Sequence, residues 1–282
     1  MKENNIMSAE LATQNETAIA VEQSRAIQEV QGAIMMAKKF PRNETTAFTN
    51  ILKACNRMNL AKSAMYSYPR GGEQVTGVSI RLAETLAKYW GNIQFGIVEL
   101  SQSNGSSEVM AYAWDLETNT RQVKQFSVKH SRYSKSKGLT KLTDPRDIYE
   151  MTANQGARRL RACILGVLPS DIIESAVEAC EKTLVGDNSE PLSDRVRKCV
   201  ASFLNFGVSQ EMIEKRLNHK IEATNVHELL ALGKIFTSLR DNMAKVEDFF
   251  ELPKVATVAT EESAEEVNER QKKLFGAKNE TN

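Results

Sequence analysis

The chain has few of the residues that mark metal centres, disulfide frameworks and hydrolytic active sites. It contains 4 cysteines and 3 histidines in 282 residues, and no two cysteines stand at close spacing. Structural zinc sites and disulfide-rich folds need such pairs, so we expect reduced cysteines, no metal site and no cofactor. The motifs Gly-x-Ser-x-Gly and His-Glu-x-x-His are also missing, which leaves hydrolase mechanisms without support and predicts a protein that is not an enzyme.

Long apolar runs are missing as well. No stretch approaches the roughly 18 consecutive apolar residues of a membrane helix. The first 25 residues are polar and lack the basic start and apolar centre of a signal peptide. We therefore expect a soluble protein in the cytoplasm of the cell that makes it. Hydrophobic residues make up 41% of the chain, enough to bury a real core.

Positive charge is balanced overall but concentrated in one region. The chain has 37 basic and 36 acidic residues, a formal net charge of +1. Between positions 121 and 146, eight basic residues stand against one acid, so this stretch carries +7 and the remainder −6. Such a concentration is typical of a surface that binds a polyanion, most often nucleic acid. The alternative is a solvated loop rich in lysine.

Shifts in composition predict five segments along the chain. Residues 1–24 are polar and predict a disordered or frayed arm, and residues 25–184 predict a core. Residues 185–191, which contain Gly, Asp, Asn and Pro, predict a linker. Residues 192–251 predict a small helical domain with short helices, and residues 252–282 a flexible tail.

The first part of the core predicts helices separated by a loop. Apolar residues repeat at three and four positions over residues 24–40, 45–58 and 79–91, which predicts three helices. Residues 66–72 contain a proline and paired glycines and predict a loop, followed by a short extended piece at 74–78.

The second part of the core predicts strands and then a helix. Alternation of apolar and polar residues over 93–129, interrupted by Asn104-Gly105 and by a second turn, predicts three antiparallel strands. A basic loop follows at 130–141, and Asp147 is the predicted cap of a helix over 148–165. The predicted fold class is α+β: a three-stranded antiparallel meander packed with helices, plus a small C-terminal helical domain.

The helix over 148–165 presents two different faces. Apolar and small residues from Tyr149 to Cys163 recur on one stripe, which is typical of core packing. Asn154, Arg158 and Arg161 fall three or four apart on another face, and Arg159 lies between the two.

The order of these elements resembles the phage single-strand annealing proteins of the RecT and Red-beta group. The local matches are the helix at 149–160, which contains Arg-Arg-Leu and precedes a later Leu168-Pro169, the helix at 47–60 and the strand at 109–114. The resemblance spans roughly residues 45–178. Family members often carry lysines where this chain has Ala153 and Asn154, and the interval from the arginines to Leu-Pro is longer here.

This resemblance implies ATP-independent binding of single-stranded DNA and annealing of complementary strands in phage-type homologous recombination. It also implies a homo-oligomer, either a ring or a helical filament, that holds DNA and the annealed duplex intermediate between the sheet and the arginine helix. Residues 192–251 would then bind a phage exonuclease or the host single-strand-binding protein, in the cytoplasm of a bacterial host.

Annealing breaks no bond, but it requires the phosphates to be neutralised while the base edges stay free to pair. Lysine and arginine neutralise phosphates and release counterions, and tyrosine stacks on bases, at about 1–3 kcal/mol per base. The predicted DNA-binding residues are Lys124, Lys129, Arg132, Tyr133, Lys135, Lys137, Lys141, Tyr149, Asn154, Arg158, Arg159 and Arg161.

Several of these assignments have a structural alternative. The three arginines could instead form ion pairs with Glu150 or Glu174, and Tyr149 could be a core residue. Two other functions also stay open. One is a basic adaptor that binds a protein partner, and the other is a metal-dependent nuclease that uses Asp115, Glu117 and Glu99.

Overall fold

The structure, a computed structural model, describes residues 2–134, 138–186 and 190–252, with side chains from residue 20 onward except that of Ser134. The described residues up to Phe250 form one compact unit. The helices are α1 (Lys2–Lys39), α2 (Glu44–Cys55), α3 (Met58–Ala61), α4 (Ile80–Trp90), α5 (Pro145–Leu165), α6 (Ser170–Val185), α7 (Leu192–Phe203), α8 (Gln210–Leu217) and α9 (Val226–Arg240). The strands are β1 (Met65–Arg70), β2 (Glu73–Val78), β3 (Ile93–Ser103), β4 (Ser106–Asp115), β5 (Thr120–Lys129), β6 (Ser131–Ser134) and β7 (Gly138–Lys141).

The predicted three-stranded antiparallel meander is confirmed, with strand order β3-β4-β5. Asn104 and Gly105 have φ of 52° and 73°, the positive values that a tight two-residue hairpin turn requires. Along the central strand β4, alternate residues such as Val109, Ala111 and Ala113 are buried. These residues form the face on which α5 packs, so the chain is a mixed helix and sheet protein around this layer.

Two short hairpins lie where the sequence predicts loops, although the extended piece predicted at 74–78 is confirmed as part of β2. β1 and β2 pair antiparallel across Gly71 and Gly72, whose φ values of 62° and 89° form the turn. Residues 66–69 therefore lie in a strand, and the two-stranded sheet accommodates Pro69 because this residue is not in a central strand. β6 and β7 form the second hairpin inside the basic loop predicted at 130–141.

Two helix starts also differ from the prediction. α1 begins at Lys2, so residues 2–24, predicted as a disordered arm, are helical. Their Ala, Glu and Gln residues are good helix formers even without a strong apolar stripe. α5 begins at Pro145, and its cap is Asp144, whose side chain accepts a hydrogen bond of 2.8 Å from the Arg146 backbone N–H. Asp147 lies inside the first turn.

Buried apolar residues form two clusters. The first contains residues of α2, α4, α5, α6 and the sheet, and the second contains residues of α7, α8 and α9 together with Phe249 and Phe250. The predicted capping box of Asn225 and Glu228 is confirmed at the start of α9. In the described ranges, none of the helices is both long enough and apolar enough to cross a membrane.

The second cluster meets β1 through a side chain of α9. Ser238 Oγ accepts a hydrogen bond of 2.9 Å from the Ser67 backbone N–H and donates one of 2.6 Å to the Ser67 carbonyl. Both serines are buried. A hydroxyl on a helix thus satisfies a donor and an acceptor of β1 that a further strand would otherwise bind.

Candidate nucleic-acid interface

The position of α5 on the sheet decides where its polar side chains point. A Cβ atom on Gly156 would lie 2.8 Å from the side chain of Ile97, so glycine is what lets the helix approach β3 this closely. Farther along, the Cys163 thiol donates to the Ala111 carbonyl at 3.5 Å. Gly156, Leu160 and Cys163 are buried, as the apolar stripe predicts.

Arg159 lies on the flank of α5 that faces β5. Its guanidinium is stacked over the Phe126 ring at 4.5 Å and donates to the carbonyl and the side-chain oxygen of Gln155. Lys124 lies two residues from Phe126 and therefore on the same face of the strand. Its charge acts on the buried Cys163 thiol: burial raises the pKa of that thiol and Lys124 opposes the shift. Arg159 and Lys124 together line a strip between α5 and β5.

Arg158 and Arg161 lie on the opposite flank, towards β1 and the turn that follows α9. Arg161 is stacked over the Tyr66 ring at 4.5 Å, and its Nη1 lies 3.3 Å from the Met243 sulfur. Arg158 donates to the Asn242 carbonyl through one terminal nitrogen. Its Nε is buried and has no hydrogen-bond partner among the described residues.

No carboxylate balances these three arginines within the part of the chain that the structure describes. The pKa of Arg158 is lowered by burial and then by the charges of Arg159 and Arg161, which means that the folded chain disfavours its positive charge. Glu150, one alternative partner, forms an ion pair with Arg146 instead, at 3.3 Å. A bound anion would relieve the repulsion among the three guanidinium groups.

Both tyrosines that were predicted to stack on bases are exposed. Tyr133 is 68% exposed on β6, and Tyr149, on the first turns of α5, is 72% exposed. The alternative that Tyr149 is a core residue is therefore wrong. The base of the hairpin is anchored by the 2.8 Å hydrogen bond between Ser107 and His130. The other predicted contacts of this region that are exposed are Lys129, Arg132, Lys141 and Asn154, whereas Lys135 and Lys137 lie outside the described residues.

The basic run does not form one continuous patch, and one of its members, Arg121, was not among the predicted site residues. Arg121 lies on the face of the sheet opposite to α5, over the rings of Trp114 at 5.2 Å and Tyr112 at 5.9 Å. Lys129 shares that face by strand alternation, whereas Lys124 faces α5. The register set by the Asn104-Gly105 turn pairs Arg121 with Trp114, so the sequence did contain the signal for this contact.

The acidic residues considered for a nuclease are used elsewhere or lie apart. Asp115 and Glu117 both bind Arg42, whose Nε lies 2.9 Å from Glu117 Oε1. Asp115 lies opposite Ile93, at the start of β3. Glu99 lies six residues farther along β3, so it is about 20 Å from Asp115. Across residues 2–134, 138–186 and 190–252, no three His, Cys, Asp or Glu side chains are grouped as metal ligands.

No family model, curated protein or solved structure matches the chain. Its function is therefore inferred from its own residues.

Proposed function

We propose that the chain binds single-stranded DNA without ATP and anneals complementary strands. The observation that carries this proposal is the arginine cluster of α5. Arg158, Arg159 and Arg161 have no carboxylate partner among the described residues, and burial and mutual repulsion lower the pKa of Arg158. A protein that kept three such half-buried charges only for folding would ordinarily pair them, because removing a charge from water without a partner is costly.

The two flanks of α5 suit a phosphate backbone. Arg159 and Lys124 line the strip beside β5, and guanidinium groups donate in the forked geometry that phosphate oxygens accept. Each phosphate that binds here releases condensed counterions, so binding is expected to weaken as salt rises. These contacts do not read the base sequence, which an annealing protein must leave free to pair.

The exposed tyrosines suit the bases. The rings of Tyr133 and Tyr149 are exposed to solvent. Stacking on an aromatic ring holds a base by its face and leaves its pairing edge free. Proteins that bind single strands without sequence preference combine phosphate contacts with base stacking in this way.

The wider setting of this proposal comes from the resemblance of the sequence to the RecT and Red-beta group. The protein would act in phage-type recombination in the cytoplasm of a bacterial host, as a ring or filament of identical subunits. Residues 192–251 would bind a phage exonuclease or the host single-strand-binding protein.

A second candidate, an adaptor that binds a protein partner, is favoured by one observation. On the face of the sheet opposite to α5, the side chains of Val98 and Val123 are exposed, with Leu100 beside them. Exposed apolar side chains on one face of a sheet are typical of a protein interface. An apolar interface of this kind weakens little with salt, whereas a phosphate interface weakens strongly.

The test is annealing of two complementary oligonucleotides without ATP, at low and at moderate salt. We expect the protein to accelerate pairing and the acceleration to fade as salt rises. Replacement Tyr149→Leu should weaken binding by about 5- to 150-fold without changing the salt dependence, since it removes about 1–3 kcal/mol of stacking. The matched control is Phe40→Leu, an exposed aromatic residue at the end of α1. Absence of binding at any salt would refute the proposal and leave the adaptor.

A further inference from the structure

The face of the meander opposite to α5, which we call the outer face, is open to solvent. Val98 is 40% exposed on β3, and Val123 is 44% exposed on β5. Between them on β4 lie the half-buried side chains of Met110 and Tyr112. A Cβ atom on Gly96 would lie 3.3 Å from the Tyr112 ring, so this ring lies flat across β3. The centre of the outer face is therefore apolar and even enough for another flat surface to pack on it.

The charged residues of the outer face lie at its two ends. Arg121 lies at one end, opposite Trp114, and Glu108 lies six residues from Trp114 along β4, about 20 Å away. The apolar centre lies midway between these two levels. Neither Arg121 nor Glu108 forms an ion pair among the described residues. The Arg121 guanidinium is held over the rings of Trp114 and Tyr112, which fixes a positive charge at this end of the face.

This arrangement makes the outer face complementary to itself. If a second copy packs face to face with its strands reversed, a two-fold axis crosses the centre of the face, and the levels of Glu108 and Trp114 exchange places. Arg121 of each copy then lies opposite Glu108 of the other, and the two long side chains span the roughly 10 Å between packed sheets. Lys129 lies beyond Glu108, so it falls over the turn after β4 and not over Arg121. Packing with the strands in the same direction would instead place Glu108 opposite Glu108.

We propose that two copies of this chain pair through their outer faces as a two-fold dimer, with Arg121 of each copy on Glu108 of the other. The pairing does not depend on DNA binding, because α5 and its arginines lie on the opposite face of the sheet. A two-fold contact closes on itself, so a ring or filament would need a second, different contact.

A second copy fits the outer face better than nucleic acid or an unrelated protein. Glu108 repels a phosphate backbone, whereas a second copy supplies Arg121 to it. An unrelated protein would need the same charges in reverse order around an apolar centre, and a second copy has them by symmetry. Pairing would also cover Val98 and Val123, the exposed residues that favour an adaptor.

The size of the outer face predicts a weak dimer. With ten residues in β4 and three strands in the sheet, the face is roughly 33 Å long and 14 Å wide, or about 460 Å². Each partner in a standard specific interface buries about 800 Å². We therefore expect a dimer that dissociates on dilution, and the experiment has to reach high protein concentration.

The experiment is sedimentation velocity of the full chain without nucleic acid, at concentrations up to about 1 mM. The charge variants are Arg121→Glu and Glu108→Arg, each of which places like charges opposite each other twice in the dimer. The controls are Lys88→Glu on α4 and Glu99→Arg on β3. Both controls are exposed residues away from the outer face, and they change the net charge by the same amounts.

We expect the unchanged chain to form a dimer that depends on concentration. Each charge variant should weaken the dimer at least about tenfold, because like charges then face each other, and each control should leave it unchanged. An equimolar mixture of Arg121→Glu and Glu108→Arg should dimerise again, since both contacts of the mixed pair join opposite charges. Thermal unfolding of each variant checks that it is folded, and a misfolded variant would not regain the dimer on mixing.

A chain that stays monomeric at about 1 mM would overturn the proposal, and so would folded charge variants that associate as well as the unchanged chain. A mixture that fails to regain the dimer would overturn the pairing of Arg121 with Glu108. Loss of oligothymidylate binding in Arg121→Glu, with unchanged self-association, would also overturn it and assign the outer face to nucleic acid.

Discussion

Replacement of Arg158 and Arg161 together by glutamine tests the proposed DNA interface most directly. Glutamine keeps a polar side chain of similar reach but removes two positive charges. If both arginines contact phosphates, the slope of log K against log salt should fall by about 1.4, since each phosphate contact on a single strand contributes about 0.7. Each lost charged hydrogen bond should also cost about 1.5–3 kcal/mol, roughly ten- to hundredfold in affinity.

The double replacement has two opposing effects on the stability of the fold. Arg161 loses its contact with the Tyr66 ring, and such a contact contributes about 0.5–2 kcal/mol. Arg158 loses its bond to the Asn242 carbonyl, but the repulsion that lowers its pKa is removed at the same time. We therefore expect a folded variant with a modestly lower melting temperature.

The assay is fluorescence anisotropy of a labelled oligothymidylate over a series of salt concentrations. The control is Arg197→Gln, whose side chain is 76% exposed on α7 and paired with Asp194 at 2.5 Å. It changes the net charge in the same direction, so it reports any effect of net charge alone. A folded double variant with the affinity and the salt slope of the unchanged chain would refute the role of this helix.

Three further predictions concern stability. Gly156→Ala should destabilise the fold by about 1–3 kcal/mol, because its Cβ would lie 2.8 Å from the Ile97 side chain. Gly233→Ala, with open space at its Cβ, should stabilise it by up to about 1 kcal/mol, and equal shifts in urea midpoint would contradict the packing described. Hydrogen bonds to Glu228 and to the Lys220 carbonyl raise the pKa of His219 above 6.5, so its contribution to stability is complete below pH 6.5 and is lost as pH rises through the raised pKa. His219→Gln should therefore flatten the fall in melting temperature as the pH rises above 6.5, and an unchanged profile would show that this contact does not matter.

The sheet could be predicted from the sequence because its signals are local. Strict alternation along β4 and the Asn104-Gly105 turn determine both the strands and their register. Strand β1 was missed because Pro69 and the paired glycines are typical of loops, and because the Ser67 backbone is bound by Ser238, far along the chain. β6 and β7 are only four residues each, too short for periodicity to be detected.

The candidate site was predicted only in part for the same reason. Helical spacing alone places Arg158 and Arg161 on one face and Arg159 beside it. What Arg158 contacts depends on a turn 84 residues away, which spacing within the helix cannot reveal. The packing of Arg121 on Trp114 could be predicted from the register of the meander. The exposure of Tyr149 could not, because the stripe of residues at helical spacing continues past the edge of the sheet.

The hydrogen bonds between Ser67 and Ser238 join residues 171 positions apart, and this separation has a consequence for synthesis on the ribosome. At about 5–20 residues per second, roughly 10–30 s pass between the appearance of β1 and that of the helix that completes it. During this interval the backbone of Ser67 has neither its donor nor its acceptor, and an open strand edge of this kind can pair with another nascent chain. Slow translation of the last third of the chain should therefore lower the yield of folded protein.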